Sequence, residues 1–96
     1  MSLFVVQHKH SAETCPAGHP QMGPMLLKHL SPQSAAGFGV NIHSDAVIDG
    51  QHTFYLIVDA ADESKVTSYM APFSQVGSVE IWPASSCEKV VERGEC

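Results

Sequence analysis

The segment "GFGVNIHSDAVIDGQHTFYLIVDA", residues 37 to 60, constrains the fold more than any other. Its first arm alternates apolar and polar residues and runs into a turn at Asp49-Gly50, a strong hairpin signal. Phe38, Val40 and Ile42 fall on one face of the first arm, with Asn41, His43 and Asp45 on the other. The second arm, "HTFYLIVDA", is rich in β-branched and aromatic residues. A hairpin alone is marginal, so the flanking segments must cover one of its faces.

Those segments supply the cover. "LFVVQHK" near the N-terminus reads as a strand apolar on both sides. Ser11 to Pro20 reads as loop, with Pro16, Gly18 and Pro20. A helix is predicted from Gln21 or Met22 to Leu30, because Met22, Met25, Leu26, His29 and Leu30 recur at helical steps. Pro24 fits its first turn, and "SPQS" is expected to end it. "ADESKVTSYMAPF" predicts a second helix, capped by Asp59 or Asp62, striped by Val66, Tyr69 and Met70, and closed by Pro72. "VGSVEIWP" predicts the last strand, with Ser78, Glu80 and Trp82 opposite Val79 and Ile81. The order is βαββαβ, which predicts an α+β, ferredoxin-like fold: a four-stranded antiparallel sheet with two helices on one face. One domain is expected over 1–84, with 85–96 as a C-terminal tail.

Composition excludes some functions. The chain of 96 residues has five Lys and Arg and a formal net charge of -5, so it holds no basic stripe for nucleic acid. Anionic membrane surfaces are disfavoured for the same reason. Charged residues make up 16%, below the usual value of about 25%, as expected where part of the surface meets another subunit. The apolar run Leu3 to Val6 is too short for a signal-peptide core, so a cytoplasmic location is expected. Three cysteines without a secretion signal argue against a disulfide framework, although Cys87 and Cys96 remain free to pair.

The stretch "GQHTFYLIVDAADESKVTSYMAPFSQVGSVEIWPA" resembles the second half of small, uncharacterised bacterial proteins of the dimeric α+β-barrel superfamily. In these a hairpin strand ends in an acidic residue, a short helix follows, and the last strand closes on a proline. The resemblance extends over residues 3–84. It implies a homodimer whose two sheets face each other. Members of the superfamily include cofactor-independent oxygenases, isomerases, haem-degrading enzymes and metal binders. No signature of theirs transfers to individual positions here, so function rests on the site residues.

Two groups of residues carry chemistry. "HKHSAETCPAGHP" holds His8, His10, Cys15 and His19. The two strand histidines share a face, and the loop can fold Cys15 and His19 back over them. Imidazole and thiolate suit Zn²⁺, and also Ni²⁺ or Cu, and His43, Asp45 and His52 on or beside neighbouring strands could complete the shell or orient its ligands. Met22 and Met25 nearby would favour copper, but they also suit a core. Cys15 before a helix could alternatively be a reactive thiolate. The second group, His43, Asp45, His52, Tyr55, Glu80 and Trp82, marks a pocket on or beside the second face of the sheet. There His43 and Glu80 would serve as acid and base, with Tyr55 and Trp82 as walls for a small-molecule ligand. Three readings follow: a metal binder at the end of the first strand, a cofactor-independent enzyme of oxygenase or isomerase type using His10 or His43 as base, and an interaction module with no site.

Overall fold

In the computed structural model, which describes all 96 residues, four strands form one sheet. They are β1 (Ser2–Lys9), β2 (Val40–Ile48), β3 (Thr53–Ala60) and β4 (Ser78–Ala84). Four helices accompany them: α1 (Met22–His29), α2 (Pro32–Gly37), α3 (Glu63–Ser74) and α4 (Cys87–Arg93). The sheet order is β2-β3-β1-β4, and every neighbouring pair is antiparallel. This is the ferredoxin-like topology expected from the sequence. No helix is long and apolar enough to cross a membrane.

One face of the sheet carries the core. Phe4 and Val6 of β1 stand opposite Val58 and Leu56 of β3, and all four are buried. Val66, Tyr69 and Met70, the predicted stripe of α3, close over them with Ala35 of α2. Full burial of each such side chain stabilises the fold by roughly 1.5–3 kcal/mol. Asp62 begins α3, and its side chain accepts from the Lys65 amide at 3.2 Å. The Asp62 carboxyl lies below its ordinary pKa, held there first by its hydrogen bond from Ser64 and then by the Lys65 amide.

Four local expectations are corrected. "SPQS" ends one helix and starts another: Ser31 Oγ accepts from the Ser34 amide, and Pro32 takes the first helical position. Phe38 lies at the end of α2 rather than in a strand, against the rings of Tyr69 and His29. Pro72 lies inside α3, which runs on to Ser74. The tail holds α4, capped by Ser86 Oγ and ended by Gly94 at φ 80°.

A fifth correction concerns β2. Its register with β3 breaks between Ile42 and Ser44, so His43 is the extra residue of a bulge. Beyond the bulge Asp45 faces Leu56 across the ladder, which puts it on the helix side of the sheet. The expected company of Asn41, His43 and Asp45 is therefore split.

Candidate metal centre

β1 delivers two histidines to different depths. His8 belongs to the core face and is 1% exposed; His10 lies one step past the strand end. Their rings stack at 5.2 Å. His8 Nε2 faces the Phe73 carbonyl at 2.9 Å. A carbonyl only accepts, so His8 Nε2 carries the proton and His8 Nδ1 carries a lone pair. His10 Nδ1 lies 3.4 Å from that lone pair and is its donor. The chain of bonds thereby fixes the tautomer of His10, whose Nε2 is left as a free acceptor. That nitrogen is buried and has no hydrogen-bond partner.

Two further segments converge on the His10 side chain. The His10 amide donates to the His52 carbonyl at 3.1 Å, extending the β1–β3 ladder by one pair. His52 closes the hairpin turn at φ 50°, and its ring meets that of His10 edge-on at 5.5 Å. The loop after β1 turns through a short 3-10 segment, Ala12–Thr14, which Thr14 Oγ1 anchors at 3.4 Å from the Val76 carbonyl. This turn brings Cys15 back toward the strand end. One ligand atom from each of His10, Cys15 and His52 lies within 4.8 Å of the other two.

The local electrostatics favour neutral imidazoles. Burial pushes the His8 pKa down; the Phe73 carbonyl opposes this, and His10 adds to it. Burial also lowers the pKa of His10, with repulsion from His52 assisting. A neutral ring is the form that binds metal. Bond lengths of 2.0–2.3 Å around a tetrahedral ion set ligand atoms about 3.3–3.8 Å apart. The present spacing is thus within a small side-chain adjustment of a bound geometry. Beside the three residues lies a cavity of ≈ 130 Å³, walled by Leu26, Val47, Ile48 and Phe54. It leaves space for a water or another small fourth ligand.

The family can now be stated. Residues 4–95 match the sequence profile of a domain of unknown function, DUF3303. The chain belongs to that family. No curated protein and no solved structure gives a significant match. The matched span of the DUF3303 domain takes in all three converging residues and α4.

The remaining sequence candidates are placed as follows. His8 stands outside the group of His10, Cys15 and His52; its Nε2 donates to the Phe73 carbonyl and its Nδ1 meets His10 Nδ1, which orients the His10 ring. His19 also stands outside it: its Nδ1 accepts from the Gln21 and Met22 amides, each at 3.1 Å, and so caps the start of α1. Of the two places expected for His52, the pocket and the ligand shell, the structure brings it beside His10 and Cys15. Cys15, Cys87 and Cys96 are all free thiols.

On the open face of the sheet, Tyr55 Oη donates to Gln7 Oε1 at 2.5 Å. His43 Nε2 donates to Asp59 Oδ2 at 2.5 Å. His43 and Glu80 lie on the two edge strands, β2 and β4, three strand steps or roughly 14 Å apart. They cannot act on one atom within a single chain. Trp82, 42% exposed, stands alongside Val5 across the ladder. The sequence-predicted pocket residues thus divide between the metal centre, an exposed sheet face and, for Asp45, the opposite side.

Proposed function

We propose that this DUF3303 domain binds a transition metal, zinc first, through His10, Cys15 and His52. The observation that carries the reading is the buried Nε2 of His10, oriented by His8 and left without a partner beside a thiol and a second imidazole. A buried acceptor in that condition is costly, and a metal ion removes the cost. Three protein ligands with room for a fourth suit zinc in an open site, and nickel or copper would accept the same donors. The ion would join three segments that are far apart in sequence: the end of β1, the following loop and the hairpin turn.

Elemental analysis of untagged protein purified without chelator tests this. About one equivalent of metal is expected, lost on His10→Ala, Cys15→Ala or His52→Ala and retained on His19→Ala. A metal-free protein whose melting is indifferent to chelator and to added Zn²⁺, Ni²⁺ or Cu²⁺ would sink the proposal.

The open sheet face supports a second reading, a homodimer formed sheet against sheet. Ile57 and Trp82 are exposed on it, 38% and 42%, with half-buried Val5 between them across the ladder. Light scattering at micromolar concentration distinguishes a mass of two chains from that of one.

A further inference from the structure

A second cleft lies on the other side of the loop that carries Cys15. Its volume is ≈ 260 Å³. Phe54, Phe73 and Val76 line its inner side, and Met22, Met25 and Leu26 of α1 line the other. The loop contributes Thr14 and Pro16. Pro16, Leu26 and Phe54 also border the cavity beside His10 and Cys15, so the two spaces share a wall.

The chemistry of the lining is one-sided. Three polar side chains reach the cleft, and each donor already has a partner. His8 Nε2 donates to Phe73, and His29 Nε2 donates to the Tyr69 carbonyl at 2.9 Å. Thr14 Oγ1 lies 3.3 Å from the Ser11 carbonyl and 3.4 Å from that of Val76. No N–H or O–H is therefore left for a carboxylate or phosphate. The remaining surface is aromatic, aliphatic and thioether. Size narrows the occupant further. An apolar cavity of about 150 Å³ is enough for benzene, so this one accepts one or two rings and is too small for a helix or a second chain. Met25 is 68% exposed and α1 buries no residue, which leaves both thioethers free to adjust around a ring.

We propose that this cleft binds a neutral molecule of one or two aromatic rings, and that metal at His10, Cys15 and His52 tightens the binding by fixing the loop that forms its wall. The first half stands on the cleft alone; the second rests on the metal reading. Any ligand that holds the loop where it walls the cleft stabilises the same conformation the ring requires, so the two binding events are coupled.

The test is a fluorobenzene titration of the full chain, followed by ¹⁹F NMR and by the methyl signals of ¹³C-labelled methionine. Saturable binding that shifts Met22 and Met25 is expected, with benzoate at least tenfold weaker. Met22→Phe and Val76→Phe fill the cleft from opposite sides. Each is expected to weaken fluorobenzene at least tenfold while the amide spectrum stays folded, and either suffices if the other is unstable. One equivalent of Zn²⁺ is expected to tighten binding about fivefold or more. Cys15→Ser should abolish that gain and keep the affinity measured in chelator. Absence of saturation, unmoved methionine signals, or filled variants that bind like the parent would overturn the cleft. Stoichiometric zinc without effect on fluorobenzene would overturn the coupling alone. A chain that takes up no zinc would overturn the metal centre and the coupling together, while the titration in chelator still decides the cleft.

Discussion

Replacing His8 by Leu separates its two roles. The ring is buried and bonds on both sides, to the Phe73 carbonyl and to His10. Leu keeps the volume and the apolar contacts with Phe54 and Phe73. It removes both hydrogen bonds, leaving the Phe73 carbonyl and the His10 Nδ1–H without their partner. That costs about 1–3 kcal/mol, offset in part by the burial of an apolar side chain in place of a polar one. Before that offset, the cost corresponds to a fall in melting temperature of about 4–24 °C for a domain of this size. The consequence for metal is separate. Without His8 Nδ1, the His10 ring loses the bond that fixes its tautomer and rotation, and such supporting bonds are worth about 10–100-fold in affinity. Zn²⁺ affinity should be measured by competition with a chromophoric chelator, under conditions where His8→Leu is fully folded. A dissociation constant raised tenfold or more is expected. A value within twofold of the parent would refute the relay and reduce His8 to a packing residue.

Three further outcomes follow from the same geometry. A Cβ added at Gly77 would lie 2.0 Å from the Lys9 carbonyl and 2.9 Å from His8 Nε2; Gly77→Ala should therefore force β4 from the end of β1 and destabilise by about 3 kcal/mol or more in chemical denaturation. Since burial lowers the pKa of both His8 and His10, the unfolded chain binds protons that the folded chain refuses; metal-free stability should be level above about pH 6.5 and fall as the pH drops below it, and a profile flat down to pH 5 would contradict this. Tyr69 is fully buried and its phenol is pushed up to about 12 by desolvation, so stability should be complete below pH 10 and decline by up to about 2–3 kcal/mol between pH 10 and 12, a decline Tyr69→Phe should lack.

The sequence was most legible where a face is buried. The stripes of Phe4 and Val6, Leu56 and Val58, and Val66 and Met70 each meet the core at the expected period, which is why βαββαβ could be read without a structure. The signal fails where burial ends. From His43 to Ile48 every residue of β2 is exposed, so no apolar face pins the register and the bulge leaves no trace in the pattern. α2 and α4 are six and seven residues long, too short for a periodic stripe; only their caps, Ser31-Pro32 and Ser86 with Gly94, could have announced them.

The candidate site shows what period alone omits. Spacing placed His8 and His10 on one face, and that is so. It could not give their depth, which depends on the end of α3 crossing above His8 and supplying the Phe73 carbonyl. Two histidines on one strand therefore became an orienting residue and a candidate ligand rather than a pair of ligands. For His52, at the edge of its strand, parity leaves both the pocket and the ligand shell open; the ladder decides between them. Once β3 is known to lie beside β1, the pairing of Lys9 with Thr53 carries His10 to His52 as the next step. His19 carried a warning of a different kind. A side chain with a lone pair just before a helix meets free amides there, and those of Gln21 and Met22 claim its Nδ1 before any metal can. The third donor from the loop is consequently Cys15, and its own position depends on Thr14 reaching the Val76 carbonyl. The loop, the strand end and the turn each contribute one residue of the candidate group, so none of the three segments contains it by itself.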